Sequence, residues 1–115
     1  MTNYSHGKQA EQAAAEYLKQ RGFTIRDINW KTPLCEIDIV AEKQGTMYFV
    51  EVKYRQSDSQ GAGLDYITPR KQKQMHYAAE TWLATSRWNG DVTLSAIELS
   101  GPNYAVTEFV EALSE

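Results

Sequence analysis

Four residues near the middle of the chain have the types and spacing to do chemistry together: Glu36, Asp38, Glu51 and Lys53. They lie in two otherwise apolar runs, Cys35-Glu36-Ile37-Asp38-Ile39-Val40 and Met47-Tyr48-Phe49-Val50-Glu51-Val52-Lys53. A carboxylate in a strand bordering a dry core loses its hydration, which is costly unless a cation or hydrogen bonds replace the water. If the runs are strands joined through Lys43-Gln44-Gly45-Thr46, a two- or four-residue turn sets Asp38 opposite Glu51 and Glu36 opposite Lys53. Opposed Cβ atoms are roughly 4.5 to 5.5 Å apart, and the strand period of two puts all four side chains on one face. Three acids then share one lysine, so either one acid takes up a proton or a divalent ion sits among them. The ion is the expectation. Mg²⁺ or Mn²⁺ held by Asp38 and Glu51 would acidify water and supply counter-charge for phosphodiester hydrolysis, with Glu36 a further ligand or outer partner. Lys53, one period along, would orient or deprotonate the attacking water. The plainer alternative is a solvated strand end, with Glu36 and Lys53 as a cross-strand ion pair and Asp38 simply exposed.

These strands need elements to hold them. Ala10, Ala13, Ala14, Tyr17 and Leu18 recur on one helical face and Gly22 follows as a stop, which predicts a helix over about 6–21. Glu11 falls within about 20° of Leu18 on that helix, so it can reach a site on the sheet, whereas Glu16 points away. Strands are expected at Phe23–Trp30, Glu36–Ala41 and Met47–Tyr54. Gln56–Tyr66, rich in Ser, Gly, Asp and Gln, reads as an exposed loop, with Tyr54 and Tyr66 flanking it as candidate base-stacking groups. Thr68-Pro69 gives an N-cap and a proline at the first helical position, opening a second helix to about Ser86 with Met75, Ala78, Ala79, Trp82 and Leu83 inward. Two further strands follow, Asp91–Leu99 and one near Ala105–Phe109. Arg70, Lys71 and Lys73 crowd the start of the second helix, where positive charge opposes the helix dipole but suits a bound phosphate. Arg55, just past the active strand, is a candidate phosphate clamp, its alternative being a salt bridge to Asp58.

Asp, a short hairpin and then Glu-x-Lys resembles the signature of the PD-(D/E)XK nuclease superfamily. The ordered set Gly7, Ala10, Glu11, Tyr17-Leu18, Gly22, Asn29, Glu36-Ile37-Asp38, Phe49-Val50-Glu51-Val52-Lys53, Arg55, Lys71 and Ala79 is similar to the YraN-like family within it, over about Ser5 to Leu83. The resemblance implies an α/β, restriction endonuclease-like fold in the order αβββαββ, with a mixed central sheet flanked by two helices. It also implies that the Val52 carbonyl completes the metal coordination, that Glu11 and Lys71 belong to the site, and that the substrate is DNA, branched or otherwise structured DNA included. The family is related by fold to Holliday junction resolvases, which act as dimers, so a homodimer is among the implied assemblies. Where the family has Gly before its Glu-Ile-Asp, this chain has Cys35.

The remaining composition sets bounds. At 115 residues the expectation is one domain, 1–115, with a single core. The polar start and the lack of any long apolar segment predict a cytoplasmic protein with no membrane span. The lone Cys35 forms no internal disulfide and has no zinc-spaced partners. The net charge of -3 opposes the basic surface usual in DNA-binding proteins, and it keeps open a second function, a nucleic-acid-binding or protein-interaction module on the same fold without efficient catalysis.

Overall fold

In the computed structural model of the chain, residues 3–56 and 67–113 are described, with side chains from Gly7 onward. The elements run α1 (Asn3–Gln20), β1 (Thr24–Lys31), β2 (Glu36–Lys43), β3 (Thr46–Arg55), α2 (Pro69–Ala84), β4 (Asp91–Ser100) and β5 (Ala105–Val110). This is the expected order αβββαββ. Most of the expected loop, residues 57–66, lies outside the described residues.

The strands form one five-stranded sheet in the order β1-β2-β3-β4-β5. β1, β2 and β3 meander antiparallel, and Gln44 and Gly45, both at positive φ (51° and 82°), make the tight turn between β2 and β3. β4 lies parallel to β3 over ten residue pairs, from Thr46↔Asp91 to Arg55↔Ser100, which is possible because α2 carries the chain back across the sheet. β5 closes the far edge antiparallel to β4.

The helices cover opposite faces. Ala10, Ala14, Ala15 and Leu18 of α1 pack with Ile39, Ala41, Val50, Ile97 and Leu99. On the other face, Met75, Ala78, Ala79 and Trp82 of α2 pack with Val40, Met47, Phe49 and Leu94, where Phe49 meets Trp82 edge-on at 5.6 Å between ring centroids. Alternation along β3 therefore sends Phe49 toward α2 and Val50 toward α1. Thr68 caps α2 as its sequence promises, accepting the Lys71 N–H at 3.1 Å ahead of Pro69. The buried Trp82 indole donates to Asp27 of β1 at 2.8 Å, which ties α2 to the far side of the sheet. Trp88 packs against this second cluster and its indole donates to the Asp91 carbonyl.

Candidate functional site

The β2–β3 pairing has the register expected from the turn, running from Lys43↔Thr46 to Ile39↔Val50. There the ladder stops. The expected Asp38–Glu51 and Glu36–Lys53 pairs do not form; instead Asp38 Oδ2 accepts the backbone N–H of Val52 at 2.8 Å. A side-chain oxygen thus takes a backbone donor of β3 where the ladder has ended. β1 is irregular at the same level. It pairs Ile28↔Ile39 and Trp30↔Ile37, and Asn29, between them and so opposite Asp38, has φ 54°, a conformation Asn tolerates better than most residues. Ile37 belongs to the α2-side cluster and Ile39 to the α1-side cluster, although two residues apart in a regular strand would share a face. Of the four chemical side chains, Glu36, Asp38 and Glu51 line one cleft on the α2 side and Lys53 does not. Asp38 lies where the strands part, and it lines a cleft on each side of the sheet.

Glu11 approaches Asp38 from α1, close enough for each carboxyl to act on the other. The Asp38 carboxyl is pushed up to about 8, first by burial, then by the charge of Glu51 and, more weakly, those of Glu11 and Glu36, against the lowering effect of the Val52 N–H. Glu11 is also raised, chiefly by burial and by Glu36 and Glu51, with Asp38 and Lys31 opposing. Glu51, on β3, is engaged from the other face: Lys71 Nζ lies 3.1 Å from Glu51 Oε2. The repulsion foreseen among the acids raises the Asp38 and Glu11 carboxyls on one side, while Lys71 pairs with Glu51 on the other. Among the described residues, no group of three or more His, Cys, Asp or Glu side chains is gathered closely enough to hold a metal ion.

The remaining expected residues divide. Glu36 is exposed, lines both clefts and adds to the field on Asp38. Lys73 is exposed in the α2-side cleft, while Arg70, also exposed, lines neither cleft. Lys53 is exposed at the end of β3, beside Glu98 in the parallel register, and lines neither cleft. Arg55 is turned into the structure: its Nε donates to Glu98 Oε2 at 2.7 Å, with 19% of the arginine and 8% of the glutamate side chain exposed. Glu98 is completed by the Thr107 hydroxyl at 2.9 Å. Tyr54 donates its hydroxyl to the Gly101 carbonyl and packs on Tyr104, and Tyr66 lies outside the described residues. Cys35 is half-buried, with its Sγ 3.4 Å from the Thr32 hydroxyl.

Three residues join the site that the motif pattern did not suggest. Lys31, at the end of β1, lines both clefts and lowers the Glu11 carboxyl; Leu34 and Tyr77 line the α2-side cleft. None of them has a periodic signal, and only the approach of the β1–β2 connection to α2 brings them together. The α2-side cleft has a volume of about 660 Å³ and the α1-side cleft about 470 Å³. They meet at Lys31, Glu36 and Asp38. What results is a groove across the open end of the sheet, with carboxylates in its middle and lysines along its walls.

Comparison with known proteins gives the family. Residues 10–99 match the Uncharacterised protein family UPF0102. A UPF0102 protein of Vibrio campbellii is 31% identical over 112 residues, covering 95% of this chain and 92% of that protein. One from Cytophaga hutchinsonii is 29% identical over 106 residues, covering 92% and 94%. Another, from Desulfosudis oleivorans, is 45% identical over 78 residues, 68% of this chain and 63% of its own length. With the nuclease-like constellation at the parting of β2 and β3, these matches make the chain a member of UPF0102, the YraN-like group of PD-(D/E)XK nuclease-like proteins.

Proposed function

We propose that the protein is a metal-dependent endonuclease-like enzyme that hydrolyses DNA phosphodiesters at the groove between α1 and α2. The observation that carries this reading is Asp38 held on the Val52 amide with Glu51 lining the same groove, which is walled by Lys31, Lys71 and Lys73. The donor set is all oxygen, the chemistry that Mg²⁺ and Mn²⁺ prefer. The acids are crowded enough to force a proton onto Asp38, and a divalent cation relieves the same crowding. Asp38, Glu51 and the Val52 carbonyl would hold the ion, with Glu36 and Glu11 close behind. Bound there, it supplies acidified water and counter-charge for the phosphoryl group. The chain's own side chains do the rest. Lys71 and Lys73 bind phosphate oxygens, and Asp38, once deprotonated, contributes fixed negative charge. DNA is the partner in this reading, with branched and structured forms among its substrates.

A second reading, a binding module without efficient catalysis, is favoured by one observation: Glu51 is already paired with Lys71. Two measurements separate the readings. Calorimetric titration with Mn²⁺ should show binding that Asp38→Asn weakens strongly. A panel of linear, nicked, flapped and four-way DNAs should show cutting that depends on the metal and is lost in Glu51→Gln. Metal binding with no cutting anywhere on the panel supports the module.

A further inference from the structure

The α2-side cleft has apolar walls that a phosphodiester alone does not need. Leu34, at the β1–β2 connection, is 78% exposed, and Tyr77, on α2, is 50% exposed. Both line the cleft that contains Asp38 and Glu51. Neither is loosely held. The Thr32 hydroxyl accepts the N–H groups of both Leu34 and Cys35, at 3.1 and 3.2 Å, and the Thr32 N–H donates to the Cys35 carbonyl at 2.8 Å, so the tip carrying Leu34 is a closed turn. Tyr77 stands on a helix anchored by its buried neighbours Met75 and Ala78. Lys73, one helical turn before Tyr77, lines the same wall, and Lys31 flanks the opposite side.

An aliphatic group on a closed turn and an aromatic ring on a helix, both exposed between lysines, suit a flat apolar face attached to phosphates. We propose that this cleft seats an unpaired nucleobase, placed against Leu34 and Tyr77, with its neighbouring phosphates on Lys31 and Lys73. The inference rests on the nuclease reading of the same groove and names its substrate class: a strand that is single or unpaired beside the phosphodiester at Asp38 and Glu51. A continuous duplex leaves these walls unsatisfied, because its bases are stacked on one another and it offers only edges and backbone. The strand continues past the acids into the α1-side cleft, where Lys8, Gln12 and Asn29 line its path.

The test is fluorescence anisotropy at fixed salt in EDTA, with a labelled single strand, its blunt duplex, and the same duplex carrying an unpaired flap. The single strand and the flap should bind about tenfold more tightly than the blunt duplex. Tyr77→Ala should remove about that factor for the unpaired forms and leave duplex binding unchanged, Tyr77→Phe should retain it, and Leu34→Ser should show a smaller loss in the same direction. Both positions are exposed, and thermal melts of each variant verify its fold. Equal binding of all three DNAs, or wild-type affinity of Tyr77→Ala for the single strand, overturns the base-seating inference while the nuclease reading stands. No binding to any of the three overturns the base-seating inference, and the nuclease reading is then decided by the cutting panel with the metal present.

Discussion

Lys71 Nζ sits 3.1 Å from Glu51 Oε2, so the basic start of α2 is bound to a carboxylate of the central strand. The pair is partly exposed, 35% for the lysine side chain and 20% for the glutamate, and pairs of this kind contribute at most about 1 kcal/mol. Its weight is in competition: an ion bound at Glu51 must displace the lysine. Lys71→Ala should therefore tighten Mn²⁺ binding about twofold to fivefold in calorimetric titration, the range such a pair corresponds to, while weakening DNA binding. Weaker Mn²⁺ binding in this variant would place the ion elsewhere.

The buried proton makes a prediction about pH. Asp38 is raised from 3.8 to about 8 on folding, so between those values the native state holds a proton that the unfolded chain has released. Stability must then fall as pH rises across that window and level off above it, with a slope of at most about 1.4 kcal/mol per pH unit from this group. Urea denaturation without divalent ions should show the decline. Asp38→Asn, which keeps a neutral side chain at every pH, should flatten it and be the more stable protein at neutral pH. A wild-type curve that rises from acid to neutral pH would count against a protonated Asp38.

The Arg55–Glu98 pair bears on whether Arg55 is a phosphate clamp. Removing the guanidinium deprives the buried Glu98 carboxylate of its arginine and leaves the Thr107 hydroxyl donating to it. Arg55→Ala should destabilise the protein by about 2 to 4 kcal/mol in chemical denaturation, somewhat below the loss usual for a fully buried pair, and Arg55→Ala with Glu98→Ala should be more stable than the single variant. An Arg55→Ala variant of unchanged stability with weakened DNA binding would restore the clamp.

Gly90 precedes β4 and has no room for a side chain. A Cβ there would lie 2.7 Å from the Gly45 carbonyl oxygen and 2.6 Å from the Trp88 ring. Gly45 also accepts the Asp91 N–H at 3.2 Å, so yielding to the new methyl disturbs the start of the β3–β4 pairing. Gly90→Ala should cost about 1 to 3 kcal/mol, read from the midpoint of denaturation, with the metal-binding stoichiometry unchanged in the folded fraction.

Much of this arrangement is legible in the chain because local patterns encode it. Gln44-Gly45 sets the hairpin register, Thr68-Pro69 starts α2, and the helical angle between Glu11 and Leu18 brings Glu11 to the sheet. The departures arise where partners are non-local. Periodicity cannot foresee that the Asp38 side chain captures the Val52 amide, because a side chain taking a backbone donor leaves no trace in the alternation of residues. The pairing of Arg55 with Glu98 depends on a parallel register that no turn specifies, and the pairing of Lys71 with Glu51 depends on where a long connection sets down a helix. Leu34 and Tyr77 look like ordinary surface residues until the fold brings them to one cleft.

The parallel pairing of β3 with β4 has a consequence for biosynthesis. Every carboxylate of the site belongs to the stretch from α1 to β3, which leaves the ribosome first, while Lys71, Lys73 and Tyr77 emerge afterwards with the crossover helix. Closing the early hairpin gathers acidic groups beside Lys31 but before Lys71 and Lys73 exist, so the nascent polypeptide passes through a stage when protons or cations from solution must temper more of that repulsion.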